Sequence, residues 1–189
     1  IDLDLATALD PVADAQPIPV DAATRAAVLD FIAGRLRVWL LEGDKGHDVV
    51  SAVLAEQSRN PFRAAQGVME LMLWTRREDW PLTLDSFARC VRITRPQPPY
   101  TLHPEALTEE AEKALYAAYK QAAARLGPED NVGAMLAAFQ PMIPAVTRFF
   151  DEVLVMDPDP ALRENRLALL QAIAGLARGR ADFSQLQGF

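Results

Sequence analysis

Apolar residues recur at helical spacing along most of this 189-residue chain. Nowhere is there the two-residue alternation, bounded by turn signals, that marks a half-buried strand. Residues 1–20 differ: Asp2, Asp4, Asp10 and Asp14 are interspersed with Pro11, Pro17 and Pro19, which reads as an acidic linker with a brief helical turn around Leu3–Leu9. Asp21 is placed to cap a first long helix through its side-chain oxygen. Val28, Phe31, Ile32, Leu36 and Trp39 mark that helix, and Gly43 stops it. The turn Gly43-Asp44-Lys45-Gly46 leads into a short helix from about His47 to Glu56. Asn60-Pro61 opens the next, through Val68, Leu71, Met72 and Trp74. Pro suits the first helical turn because its missing N–H would find no partner there anyway.

Trp80-Pro81 starts a fourth helix, reaching about Thr94. The stiff segment Pro96-Gln97-Pro98-Pro99-Tyr100 then separates two sub-bundles. Thr108 and Ala111 make no full capping box, but Glu109, Glu110 and Glu112 favour the N-terminal end of a helix running to Leu126. Gly127-Pro128 ends it. Asn131 can cap a helix to about Gln140, and Pro141 and Pro144 punctuate the start of the one carrying Phe149 and Phe150. After an acidic turn, Pro160 opens the last long helix, to about Arg178, and Asp182–Leu186 forms a closing turn. The pattern predicts an all-α fold: an antiparallel bundle of seven or eight helices over residues 21–189, without an internal repeat.

Half the residues are hydrophobic and 24% charged, with few aromatics and much Ala, a balance that suits helices. No apolar run reaches the roughly 18–20 residues of a membrane span, and no signal peptide is evident. A single cysteine, Cys90, rules out an internal disulfide framework and makes the cytoplasm the expected location. The chain starts at Ile1 rather than Met, so the expectation is a piece of a longer protein. The formal net charge of −7 argues against a general nucleic-acid binder, which carries a basic footprint. It leaves room for a local basic patch, because physiological salt limits the reach of surface charges to about 8 Å.

Chemistry of its own is hard to find in this chain. His47-Asp48 could contribute to a metal site, but the only other histidine is His103, and one His with its neighbour cannot fill a coordination sphere. Cys90, between Phe87, Val91 and Ile93, reads as a small core residue. With no glycine-rich phosphate loop and no Ser/His/Asp arrangement, no catalytic residue, metal or cofactor is expected. The arginines are more informative. On a helix through Leu84–Arg95, Leu84, Phe87, Ala88 and Val91 share one side, while Arg89 and Arg92 project from the other and Arg95 ends the helix. Arg76 and Arg77 come just before it. Guanidinium groups suit phosphate because their planar fork can donate two parallel hydrogen bonds. The alternative is a solvated face paired with Glu78, Asp79 and Asp85. Two further arginines lie on apolar stripes: Arg35 at the angle of Val28, Ile32 and Trp39, and Arg166 among Leu162, Leu169, Leu170 and Ile173. Both are expected to be buried and structural, because a buried charge needs a carboxylate or carbonyls. For Arg166 those partners should be Asp151, Asp157 or the carbonyls of residues 151–157.

The run Phe149-Phe150-Asp151-Glu152-Val153-Leu154-Val155-Met156-Asp157, followed by Pro160 to Leu170, resembles the end of the β subunit of bacterial glycyl-tRNA synthetase. Upstream, Leu29-Asp30-Phe31-Ile32 with Arg35-Leu36, His47 to Leu54, Phe87 to Ile93, Glu112 to Tyr116 and Ala181-Asp182-Phe183-Ser184 resemble segments of the same family, in the same order over roughly residues 28–187. Arg92-Ile93 stands where the family usually has Asn-Ile, and neither residues 1–20 nor the 96–104 segment matches. The resemblance implies an all-helical anticodon-binding domain related to the "DALR" domains of arginyl- and cysteinyl-tRNA synthetases. It implies a non-catalytic module of a glycine–tRNA ligase, with ATP-dependent adenylation in the α part. Its partners would be tRNA(Gly), the α subunit or fused α region and the remaining β domains, with no membrane. The residues expected at the RNA are Arg76, Arg77, Arg89, Arg92, Arg95 and Tyr100. The alternative is a structural bundle that docks other domains of the synthetase without reading bases; the negative charge and sparse aromatics favour it.

Overall fold

The structure is a computed structural model that describes residues 1–43 and 45–189; Asp44, part of the expected Gly43–Gly46 turn, lies outside the described residues. The described residues form no strand. They form nine α-helices: α1 (Leu5–Asp14), α2 (Ala22–Leu41), α3 (His47–Gln57), α4 (Pro61–Thr75), α5 (Trp80–Thr94), α6 (Glu110–Ala124), α7 (Val132–Phe139), α8 (Ile143–Glu152) and α9 (Pro160–Ala174). Short 3-10 turns lie at Pro104–Ala106, Gln140–Met142, Gly175–Ala177 and Phe183–Gln185. Helices α2 to α9 are the eight read from the sequence. None of the helices is long and apolar enough to cross a membrane.

Residues 1–20 need a correction, since ten of them form α1 rather than a brief turn. Asp4 caps this helix by accepting the Thr7 N–H at 3.0 Å, and the helix continues past Pro11. The segment is also tied down. Leu5 N–H donates to the Arg59 carbonyl at 2.8 Å, Asp2 pairs with Arg63 at 2.8 Å, and Arg25 on α2 pairs with Asp10 at 2.9 Å. The expected caps do form: Asp21 accepts from Thr24 N–H at 2.7 Å, Asn60 from Arg63 N–H at 3.1 Å and Asn131 from Val132 N–H at 2.9 Å. Gly43 ends α2 with φ +92°, a conformation that costs glycine nothing. At α6 the structure corrects the missing capping box. The helix starts one residue later than Thr108 suggested, and the Glu112 carboxylate reaches back to the N–H groups of Thr108 (2.8 Å) and Glu109 (3.0 Å).

The chain divides into two compact units, Ile1–Arg76 with Gly179–Gln187, and Arg77–Arg178 with Gly188–Phe189. The boundary therefore falls before α5, not at the Pro-rich segment. That segment is stitched to α9 inside the second unit. Gln171 donates to the Pro98 carbonyl at 2.7 Å and accepts the Tyr100 N–H at 3.0 Å, while Asn165 accepts the His103 N–H at 2.7 Å and donates to the His103 carbonyl at 3.0 Å. The first unit packs α3 against α2 and α4 around Leu40, Val50, Val53, Val68 and Leu71. Its closing segment returns to α3, where Asp182 N–H meets the Ala52 carbonyl and Gln57 reaches the Arg180 carbonyl. In the second unit α5 packs on α9 and α6 on α8. Its core holds Phe87, Phe139, Phe149, Leu115 and Leu169, with Phe87 and Phe139 edge to face at 5.3 Å.

Candidate nucleic-acid interface

Arg166 organises one end of the second unit. It is 2% exposed, as its place on the apolar stripe of α9 requires. Its Nε donates to Glu112 at 2.6 Å, Nη2 to Glu109 at 2.7 Å, and Nη1 to Asp157 at 2.8 Å and to the Leu154 carbonyl at 3.0 Å. Asp157 and the Leu154 carbonyl were legible partners. Glu109 and Glu112 were missed, although Glu112 stands three residues before the buried Leu115 and so shares its inward face. Burial alone would lower the basicity of Arg166; the hydrogen bonds to Glu112 and the other carboxylates outweigh it, and its pKa is raised. The bonds to residues 154 and 157 pin the loop after α8. Val153 and Val155 turn inward there, and Leu154 (64% exposed) and Met156 (49%) turn outward.

Helix α5 carries the arginine row. Arg89, half-buried, holds its guanidinium carbon 4.3 Å from the centre of the Phe150 ring. Arg92, more exposed, stands 5.3 Å from the Phe189 ring and 3.7 Å from Asp85, a long ion pair. Arg95 caps the helix and is exposed. Asp85, Arg89 and Arg92 follow i, i+4, i+7 spacing, so they share a face. A ring contact uses the charge of a guanidinium but not its N–H donors, so it positions Arg89 and leaves the donors able to meet a phosphate.

The other candidates are placed differently. Arg77 makes a two-pronged bond to Asp79 at 2.8 and 2.9 Å, which holds the Asp79 carboxyl below its ordinary range. Gln140 also donates to Asp79. The Arg77 fork is thus already engaged by a carboxylate, one of the pairings named in the solvated-face alternative. Arg76 is exposed at the end of α4 and belongs to the first unit. Tyr100 is half-buried, with its backbone fixed to Gln171. Arg35 corrects the expectation of burial: it is exposed, its guanidinium carbon 5.7 Å from the ring of Phe31, itself exposed. Of the apolar residues it shares an angle with, Val28 and Trp39 are exposed and Ile32 is half-buried.

His47 begins α3 at the surface. Cys90 is fully buried, and burial pushes its thiol up to about 12, which makes it a poor nucleophile. Among the described residues no three His, Cys, Asp or Glu side chains gather as metal ligands. In the first unit a cavity of about 710 Å³ is lined by Asp2, Asp4, Glu56, Arg59 and Arg63, an acidic mixture ill suited to phosphate.

No family model matches the chain. It is 37% identical over 163 residues to the glycine–tRNA ligase beta subunit of Moorella thermoacetica, a match that covers 84% of this chain and 24% of that protein. It is 39% identical over 171 residues to the corresponding subunit of Phenylobacterium zucineum (85% and 25%), and 35% identical over 196 residues to that of Anaeromyxobacter dehalogenans (98% and 28%). Over most of its length the chain is therefore similar to one segment of glycine–tRNA ligase beta subunits, and it spans about a quarter of the length of these relatives.

Proposed function

We propose that this chain is the anticodon-arm-binding domain of a glycine–tRNA ligase, carried on the β subunit or on a fused αβ chain. It positions tRNA(Gly) for aminoacylation catalysed in the α part and performs no chemistry itself. The observation that carries the reading is the similarity to glycine–tRNA ligase beta subunits over 84–98% of the chain, joined to the row Arg89, Arg92 and Arg95 along α5. Phosphate contacts from that row would set the register of the anticodon arm. Sequence would be read on splayed loop bases, where single-stranded RNA exposes its edges and faces.

Each phosphate contact contributes a slope of about −0.7 to −0.9 in log affinity against log salt. A chain of net charge −7 with one short arginine row makes few such contacts. Titrating the complete ligase that carries this chain with tRNA(Gly) and with anticodon-substituted tRNA(Gly), over a range of salt, tests the proposal. The expected result is a shallow negative salt slope and a clear preference for the native anticodon. Equal affinity for every anticodon variant would refute anticodon recognition.

A further inference from the structure

Helix α2 has two apolar faces, and its own unit covers only one. Leu36 and Leu40 are buried, with Leu29, Ile32 and Ala33 half-buried beside them. At 100° per residue an adjoining stripe about 100° wide carries Val28, Phe31, Arg35, Val38 and Trp39. Its apolar members are 38%, 66%, 56% and 53% exposed, in chain order. Scattered exposed apolar residues are ordinary, but four aligned on one helix are not, and a helix apolar on both sides is normally covered on both. Arg35 stands within this stripe. It lies against the Phe31 ring, and it pairs with no carboxylate among the described residues.

We infer that this stripe is a docking face for another region of the same polypeptide, an apolar protein surface that brings a carboxylate to Arg35. The inference rests on the reading of this chain as one segment of a longer ligase subunit, since the relatives it matches are about four times its length. Charge complementarity selects the occupant. A second copy, docked through two antiparallel α2 helices about a two-fold axis at the middle of the stripe, would bring the two Arg35 side chains within about one helical turn of each other. RNA is disfavoured because two of the four apolar side chains are aliphatic and offer no stacking surface. The first unit is also acidic, with twelve Asp and Glu against eight Lys and Arg.

The test is photo-crosslinking from position 39, with a benzophenone amino acid in place of Trp39 in the complete ligase, free of tRNA. The expected product joins position 39 to a peptide of the same polypeptide outside this chain, and Arg35→Glu abolishes it while Arg35→Lys keeps it. Crosslinks to a second copy (identified by mixed isotope labelling), to a separate subunit or only to added tRNA would each overturn the inference, as would none at all. The readout needs no tRNA. A ligase that fails to discriminate anticodons but gives the expected crosslink would refute the proposed function and leave this inference standing.

Discussion

In the second unit Phe87, Phe139 and Phe149 are at most 2% exposed, whereas in the first Phe31 and Trp39 each expose more than half their surface. The difference is general. Of the twelve largest fully buried side chains among the described residues, only Leu40 and Leu71 belong to the first unit; of the fourteen large apolar side chains left exposed, eleven do. The second unit satisfies its apolar faces internally and can hold charged groups at fixed positions, as it does with Arg166. The first unit leaves apolar stripes open on α2 and, through Phe62, Met69 and Leu73, on α4. Rigid placement suits a surface that reads RNA, and open apolar stripes suit one that joins other protein.

Two arginines sharpen this contrast most. Arg166→Met removes one member of a buried ionic cluster and strands Glu112, which is 1% exposed, so it should cost about 3–5 kcal/mol. Arg35→Met, at an exposed position, should change stability by no more than about 0.5 kcal/mol. Paired thermal melts measure both, and comparable losses would break the distinction between the units.

Acid provides a second probe. The Asp157 carboxyl is held below its ordinary value of 3.8 by the Asp159 N–H and by Arg166. A depressed folded-state pKa contributes stability that is fully present above the unfolded value, about 3.9, and is lost as pH falls through the folded one. Melting temperature should therefore fall below about pH 4 in the second unit, and Asp157→Asn should flatten that part of the profile. An unchanged profile would remove Asp157 from the cluster that fixes the loop.

A smaller effect separates the arginines of α5. Arg89→Ala removes the guanidinium from the Phe150 ring, an interaction worth about 0.5–1 kcal/mol at a site of this kind, whereas Arg95→Ala should be nearly neutral in chemical denaturation. Equal and negligible losses would show that Arg89 is not positioned by the ring.

Arg35 and Arg166 also show how far the sequence could be read. Both sit on apolar stripes, and helical periodicity assigns both to a core. Periodicity reports that a face is apolar, not that this chain covers it, so the assignment is right for α9 and wrong for α2. Helix starts were legible at Asp21, Asn60, Asn131 and Pro160 because caps and first-turn prolines act locally. Helix α1 was legible only as a brief turn, because Pro11, Pro17 and Pro19 read as breakers; its Asp4 cap is as local as that of Asp21, but the tie from Leu5 to Arg59 that holds it leaves no local signature. The Pro-rich segment was legible as stiff, but its partners Asn165 and Gln171 lie 62 to 73 residues away and nothing local announces them. The Glu112 partnership was hidden for another reason: an acidic residue in a first turn is already explained by the helix dipole.

The most direct measurement is the affinity of the complete ligase for tRNA(Gly) when Arg92 and Arg95 are both replaced by Ala. If the α5 row holds the anticodon arm, binding weakens, the salt slope becomes shallower by about 0.7–0.9 for each phosphate no longer neutralised, and the melting temperature stays close to that of the parent. Unchanged affinity and salt slope in a folded double variant would contradict this.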